Sequence, residues 1–67
     1  MSTGIELDEA RTHLGCAVVF HQIGRPNEEG VITSVNDHYV FVRYGKDYYP
    51  KATPSHMLSL IMEHHHR

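Results

Sequence analysis

The chain has 67 residues and a formal net charge of −2, from six Lys and Arg against eight Asp and Glu. This acidic balance argues against non-specific nucleic-acid binding, which usually needs a basic surface, although protonation of the seven His would bring the charge near zero slightly below neutral pH. The single Cys excludes an internal disulfide framework, and no apolar run approaches the roughly 20 residues that span a bilayer. The N-terminus also lacks the pattern of a signal peptide. We therefore expect one domain over residues 1–67, in the cytoplasm and away from membranes.

A short helix is predicted over residues 8–14. Asp8 can cap its start, Glu9 lies favourably in the first turn, and Gly15 can close the helix in the left-handed conformation. Three apolar residues at helical spacing are predicted to share one face: Leu7, Ala10 and Leu14. Two turns are too short to be stable alone, so we expect the helix to dock on the open end of a barrel.

The first strand is predicted over residues 16–21. Val18 and Phe20 alternate along it and are expected to face inward together with Cys16. A loop over residues 22–29 follows, because it is rich in turn-forming residues.

A central hairpin is predicted over residues 30–44, with its turn at Asn36 and Asp37. The two runs on either side of the turn are rich in β-branched and aromatic residues, which suit a pleated, half-buried surface. Asn and Asp tolerate the left-handed backbone that hairpin turns require. This hairpin is the element around which the rest of the chain is organised.

Two registers of the hairpin are possible. A two-residue turn pairs Val35 with His38 and puts Ile32 on the same face as Phe41. A three-residue loop pairs Val35 with Tyr39 and groups Ile32 with three residues of the next strand: Val40, Val42 and Tyr44. We expect the second register, because it gives Ile32 an apolar interior to face. Since a one-residue slip exchanges the two faces of a strand, the register decides which aromatic side chains are exposed.

Further elements follow in chain order: a turn over residues 45–47, a strand over 51–53, a helical turn over 54–57, a strand over 58–61 and a flexible polar tail over 62–67. Five short strands, a long loop after the first and a helical turn before the last are the strand plan of an SH3-like barrel. The predicted fold is therefore all-β (mainly β), a small five-stranded SH3-like barrel over residues 16–61 with a short N-terminal helix. Closure suits so small a chain because it limits exposed sheet edges.

Several short motifs allow a more specific comparison than the barrel plan alone. They are Gly15, Val18 and Phe20 at and just before the first strand, residues 29–37 (EGVITSVND), residues 40–45 (VFVRYG) and residues 51–53 (KAT). Over roughly residues 8–61 the chain resembles a family of small, uncharacterised bacteriophage and prophage proteins. The resemblance implies a phage or prophage origin and an SH3-like barrel, and it implies no activity.

The candidate binding residues are aromatic and basic positions on the third strand and the segment after it: Tyr39, Phe41, Arg43, Lys46, Tyr48, Tyr49 and Lys51. Exposed aromatic rings beside basic residues can line a peptide groove or stack on bases. The competing interpretation is that Phe20 and Tyr44 are core and that the other rings cover an under-filled barrel. Adjacent residues of an extended segment point to opposite faces, so one of Tyr48 and Tyr49 should be exposed.

No pattern typical of an enzyme is present. Four histidines fall on separate elements, without the spacing of zinc ligands: His13, His21, His38 and His56. The run at residues 64–66 would bind nickel or zinc only weakly. Glu28 and Glu29 are adjacent at a loop end, which gives no acid–base pair across a cleft, although with Arg25 they could meet a basic partner. There is no nucleophile motif, phosphate loop or nucleotide fingerprint. We predict no enzyme activity, no cofactor and no metal.

The predicted function is a non-enzymatic protein-interaction module of phage or prophage origin that acts in the host cytoplasm. Its partner is expected to be a host or phage protein, and the chain itself a monomer or weak dimer. The alternative is a small nucleic-acid-binding barrel that uses the exposed Tyr, Arg and Lys of the third strand and the following loop. A metal-dependent enzyme has only the histidine count in its favour.

Overall fold

The computed structural model describes residues 4–61, which form one short helix and five antiparallel strands in one sheet. In chain order the elements are α1 (Leu7–Arg11), β1 (Ala17–Phe20), β2 (Glu28–Val35), β3 (Val40–Tyr44), β4 (Lys51–Thr53), a 3₁₀ helix (Ser55–Met57) and β5 (Leu58–Leu60). The strand order across the sheet is β4-β3-β2-β1-β5, so the last strand lies beside the first. The all-β class and the short N-terminal helix are confirmed. Within residues 4–61, no helix is long and apolar enough to cross a membrane.

One face of the sheet forms the core, because every second residue of the central strands is apolar and points the same way. Along β3, Val40, Val42 and Tyr44 are buried, whereas Phe41 is half-buried and Arg43 is exposed. Five further buried apolar residues complete the core: Ile5, Ala10, Val18, Ile32 and Leu58. The partly buried ring of Phe20 packs against this core, with its centroid 5.9 Å from that of Tyr44. The outer face of the sheet is the one that carries Phe41 and Arg43.

The hairpin of β2 and β3 differs from both expected registers. Ile32 pairs with Val42, as the three-residue loop requires, but Val35 pairs with Val40. A β-bulge at Thr33 absorbs the one-residue difference between these two pairs. The predicted register is therefore correct at Ile32, before the bulge, and wrong at Val35, between the bulge and the turn. The predicted grouping of Ile32 with the buried residues of β3 holds.

The hairpin turn is a four-residue loop, residues 36–39, that is organised by one side chain. The amide oxygen of Asn36 accepts hydrogen bonds from the backbone N–H of His38 at 2.7 Å and of Tyr39 at 2.6 Å. The backbone N–H of Asn36 in turn donates to the Tyr39 carbonyl at 3.0 Å. An Asn that binds backbone groups two and three residues on is a frequent turn device. Tyr39 consequently belongs to the turn. The prediction that it lies on the outer face of the third strand is wrong.

The helix is shorter than predicted. It begins after Glu6, with no side-chain capping bond, so the prediction that Asp8 caps it is wrong. Ala10 is fully buried, but Leu14 is 55% exposed because it lies in the turns that follow the helix. Gly15 does adopt the left-handed conformation, with φ of 85°. The helix therefore contacts the core through Ala10 and not through Leu14.

Gly30 on β2 shows how closely the backbone approaches the core. A Cβ added at Gly30 would lie 2.5 Å from Cγ1 of Val42 and 2.9 Å from the ring of Tyr44. Only glycine leaves room for that ring on β2. Cys16, in contrast, is exposed, so the prediction that it faces inward is wrong. It precedes β1, and the N–H of Ile32 donates to its carbonyl at 3.1 Å.

The later elements follow the expected order. The strand over residues 51–53 is confirmed, and the 3₁₀ helix and β5 each lie within their predicted ranges. The predicted flexible tail, residues 62–67, lies outside the described residues.

Candidate functional site

The seven predicted binding residues lie in three places of the fold. Tyr39 is in the turn at one end of β3, and Phe41 and Arg43 lie on the outer face of that strand. The other four follow β3 at its opposite end: Lys46, Tyr48, Tyr49 and Lys51. Tyr39 is thus separated from the loop residues by the length of β3. Of the two candidate residues on β3, Arg43 lies nearer in sequence to that loop.

The loop of residues 45–50 joins β3 to β4 and begins with a tight turn. Gly45 has φ of 47°, and the N–H of Asp47 donates to the Tyr44 carbonyl at 2.8 Å. The carboxylate of Asp47 lies 3.4 Å from Nζ of Lys51. The prediction of a turn at residues 45–47 is confirmed. These bonds fix the two ends of the loop and leave its centre pointing outward.

Two tyrosines occupy the centre of this loop and are the chain's clearest exposed aromatic pair. Tyr48 is 92% exposed and Tyr49 is 81% exposed. Their ring centroids lie 6.4 Å apart, at an angle of 58°, a tilted arrangement that aromatic pairs favour. The sequence predicted that one of them is exposed; both are, because residues 48 and 49 lie in a bend rather than in an extended strand. The interpretation that these rings cover the core is also excluded for this pair.

The charge around the tyrosine pair is mixed, with two unpaired cations. Among residues 4–61, neither Arg43 nor Lys46 has an ion-pair partner within 4.0 Å, and both are exposed. The pair of Lys51 and Asp47 is solvent-exposed, and such pairs contribute roughly 0–1 kcal/mol. Both cations therefore remain available to an incoming anionic group.

A further exposed apolar residue, Ile23, lies at the same end of the sheet. Phe20 pairs with Glu28, and Gly30 pairs with Tyr44, so the loops of residues 21–27 and 45–50 both leave from that end. Ile23 is fully exposed, at 102% of its reference area. Sequence reasoning missed it, although an apolar residue beside a turn-forming glycine in an otherwise polar loop was a usable signal.

The loop of residues 21–27 also lines a small pocket of about 180 Å³, between Gln22, Arg25, Pro26 and Glu28. Gln22 donates to the Glu28 carboxylate across it at 3.5 Å. A second, shallow depression of about 280 Å³ lies on the outer face of the sheet. Ala17 and Val31 form part of its lining, and Glu29 and Arg43 carry its charge. Glu28 and Glu29 thus line different pockets.

Hydrogen-bonding histidines tie elements together. Nε2 of His21 lies 2.9 Å from the hydroxyl of Ser59, which links the end of β1 to β5. Nδ1 of His13 lies 2.8 Å from the Glu9 carbonyl. Among residues 4–61, no group of three His, Cys, Asp or Glu side chains is arranged to hold a metal ion.

One ionisable group in the core is perturbed. Burial raises the pKa of Tyr44 above its ordinary value of 10.0, and the negative charge of Glu28 acts in the same direction. The hydrogen bond between the Tyr44 hydroxyl and the Thr53 hydroxyl, 2.7 Å long, opposes the shift. This buried pair joins β3 to β4 and has a structural role.

Comparison of the chain with protein-family models, curated proteins and solved structures gives no significant match.

Proposed function

We propose that this chain is a non-enzymatic protein-interaction module whose binding surface is the loop of residues 45–50 together with Arg43. The observation that supports it most is the exposure of Tyr48 and Tyr49 side by side on one loop. A buried Tyr removes roughly 150–250 Å² of surface from water. The two rings leave almost all of that area unburied, and it becomes available when a partner covers them.

The chemistry of this surface suits a protein partner. Tyr and Arg are enriched among the residues that dominate binding energy at protein interfaces, because they combine large apolar area with hydrogen-bonding tips. Here the two rings lie on the loop that carries Lys46, and Arg43 lies on the strand before it. We propose that the partner presents an apolar surface bordered by acidic groups, which the two unpaired cations would face.

The proposal is tested by the double variant Tyr48→Ala with Arg43→Ala. The immobilised variant should capture less of a partner from bacterial lysate than the wild type does, while its melting temperature stays nearly unchanged. The control is Leu14→Ala, which removes an exposed apolar side chain, 55% exposed against 92% for Tyr48, from the segment after the helix. A large fall in the melting temperature of the double variant would show that these side chains are structural and would overturn the proposal.

Nucleic-acid binding is the second candidate, because the same rings and unpaired cations could stack on bases and contact phosphates. The net charge of −2 opposes it. Binding of labelled single-stranded DNA or RNA over a salt series separates the two functions. Affinity that falls steeply with salt, and that Lys46→Ala weakens, would favour nucleic acid over protein.

We further propose that the sheet curves into an SH3-like barrel. The 3₁₀ helix between β4 and β5 and the position of β5 beside β1 support this proposal. The resemblance to small phage and prophage proteins supports a phage or prophage origin and action in the cytoplasm of a bacterial host.

A further inference from the structure

The outer face of the sheet is more apolar than a solvated sheet face normally is. An antiparallel sheet with one wet face usually alternates apolar and polar residues, but β1 reads Ala-Val-Val-Phe and has no polar residue at all. Val18 points into the core, so Ala17 and Val19 lie on the outer face. Val31 of β2, which pairs with Ala17, extends this apolar strip to a second strand.

Two opposite charges flank Val31 on this face. Val31 is directly paired with Arg43 of β3, and Glu29 lies two residues before it on β2. Cross-strand neighbours and alternate residues of one strand both lie roughly 5–7 Å away. The backbone positions of Glu29 and Arg43 therefore lie at similar distances from that of Val31. Glu29 and Arg43 do not form an ion pair with each other, or with any other side chain of residues 4–61.

We propose that this chain self-associates through the outer face of its sheet, as a two-fold symmetric dimer with Val31 at the axis. In such a dimer each residue i that contacts j of the second copy is matched by j contacting i. The two-fold axis lies in the plane of the interface and bisects the line from Glu29 to Arg43. Rotation about this axis brings each carboxylate onto the guanidinium of the second copy. The same operation stacks Val31 on its counterpart.

The charges on this surface are complementary to those of the same surface on a second copy, so a second copy of this chain is the partner that fits it. The outer-face depression, about 280 Å³ in volume, is lined by the apolar Ala17 and Val31 and by both Glu29 and Arg43. A partner surface must therefore offer an apolar patch flanked by one base and one acid in the reverse order. The two-fold image of the same face meets all of these requirements at once.

The expected affinity is low. Stable interfaces bury about 800 Å² on each partner, which is about a sixth of this chain's accessible surface of 4965 Å². The apolar strip consists of Ala17, Val19 and Val31 with two flanking charges, far fewer than the roughly 20–30 residues on each side of a standard interface. We expect a dimer with a dissociation constant in the micromolar range or weaker, and one that weakens as salt is added, since the charge pairs lie at its rim.

Complementary charge exchanges test the arrangement by sedimentation equilibrium over a concentration series. Glu29→Arg alone opposes two arginines across the axis, and Arg43→Glu alone opposes two glutamates. Each single variant should therefore dimerise at least about tenfold more weakly than the wild type. An equimolar mixture of the two variants should regain dimerisation, because the mixed dimer has an acid against a base at both positions.

Matched controls carry the same charge changes away from the outer face. Glu28→Arg alters the neighbouring residue, whose side chain points to the other side of β2, and Arg25→Glu lies in the loop of residues 21–27. Both controls, and also Tyr48→Ala, should dimerise like the wild type. Circular dichroism must show that each variant is folded.

Three results would overturn the proposal. They are a wild type that stays monomeric at the highest concentration, single variants that dimerise as well as the controls, and a mixture that dimerises no better than its components. None of these results bears on whether Tyr48 and Tyr49 bind a partner. Because Arg43 belongs to both proposed surfaces, capture by the single variant Tyr48→Ala, which leaves Arg43 in place, separates a failure of the proposed function from a failure of the dimer.

Discussion

Replacing Val42 with Ala measures how much the core face of β3 contributes to stability. Val42 is completely buried, and it faces Ile32 across the central strand pair. The substitution removes two methyl groups, worth about 1.6 kcal/mol at ~0.8 kcal/mol each. A cavity that does not collapse adds up to about 1 kcal/mol. The expected loss of unfolding free energy is about 1.5–3 kcal/mol, out of a total of about 3–10 kcal/mol for 67 residues.

Urea unfolding followed by circular dichroism measures this loss, and Val19→Ala is its matched control. Val19 lies on the outer face of β1, a strand that is also paired on both sides, and it is only half-buried. The control should lose less than about half as much stability as Val42→Ala, because the exposed part of its side chain gains little on folding. Equal losses in the two variants would refute the assignment of Val42 to the core face.

Three further sites are tested by substitution: the close packing at Gly30, the buried phenol of Tyr44 and the turn at Asn36. Gly30→Ala should destabilise the fold by about 1–3 kcal/mol in the same urea assay, since its Cβ would lie 2.5 Å from Cγ1 of Val42; unchanged stability would contradict the packing of the Tyr44 ring on β2. Because the pKa of Tyr44 lies above 10.0 in the folded state, the Tyr44 phenol ionises only in the unfolded state as the pH first rises past 10.0. Unfolding free energy should therefore fall above that pH, and Tyr44→Phe should fall less steeply; parallel pH profiles would count against the burial of the phenol. Asn36→Ala should cost about 1 kcal/mol through two lost hydrogen bonds, whereas Asn36→Asp, which keeps the acceptor, should cost less, and equal losses would show that the side chain does not organise the turn.

The core and the strand positions could be predicted because they follow from local composition and period. The β-branched and aromatic residues of positions 39–44 predicted a strand, which the structure has at Val40–Tyr44, and the expected register placed its three buried residues on one face. Pro54 and the residues after it predicted a helical turn, which the structure has at Ser55–Met57. In both places the local preference of the chain and its tertiary environment agree.

The errors lie where a tertiary contact or a single local bend overrides the pattern. Leu14 has helical spacing from Ala10, but the chain leaves the helix before reaching it, and the N–H of Gly15 donates to the Ile32 carbonyl at 2.8 Å. Exposure of both Tyr48 and Tyr49 required a bend that strand alternation does not describe. Ile23 was not predicted, because the turn-forming and charged residues of its loop carry the local signal and do not show which apolar side chain stays exposed. The most exposed rings of the candidate site thus came from the least regular part of the chain.

The bulge at Thr33 explains why the register expected from the sequence holds at Ile32 and fails at Val35, and it also determines where Tyr39 lies relative to the candidate site. A bulge lets the two sides of one hairpin follow different registers, so Ile32 and Val35 can both meet buried residues of β3. The hydroxyl of Thr33 donates to the Phe41 carbonyl at 3.1 Å, so the extra residue still bonds to β3. The added residue keeps the core face intact and moves Tyr39 into the turn, away from the tyrosine loop. A binding surface built from β3 is therefore confined to the end where Arg43 meets the loop of residues 45–50.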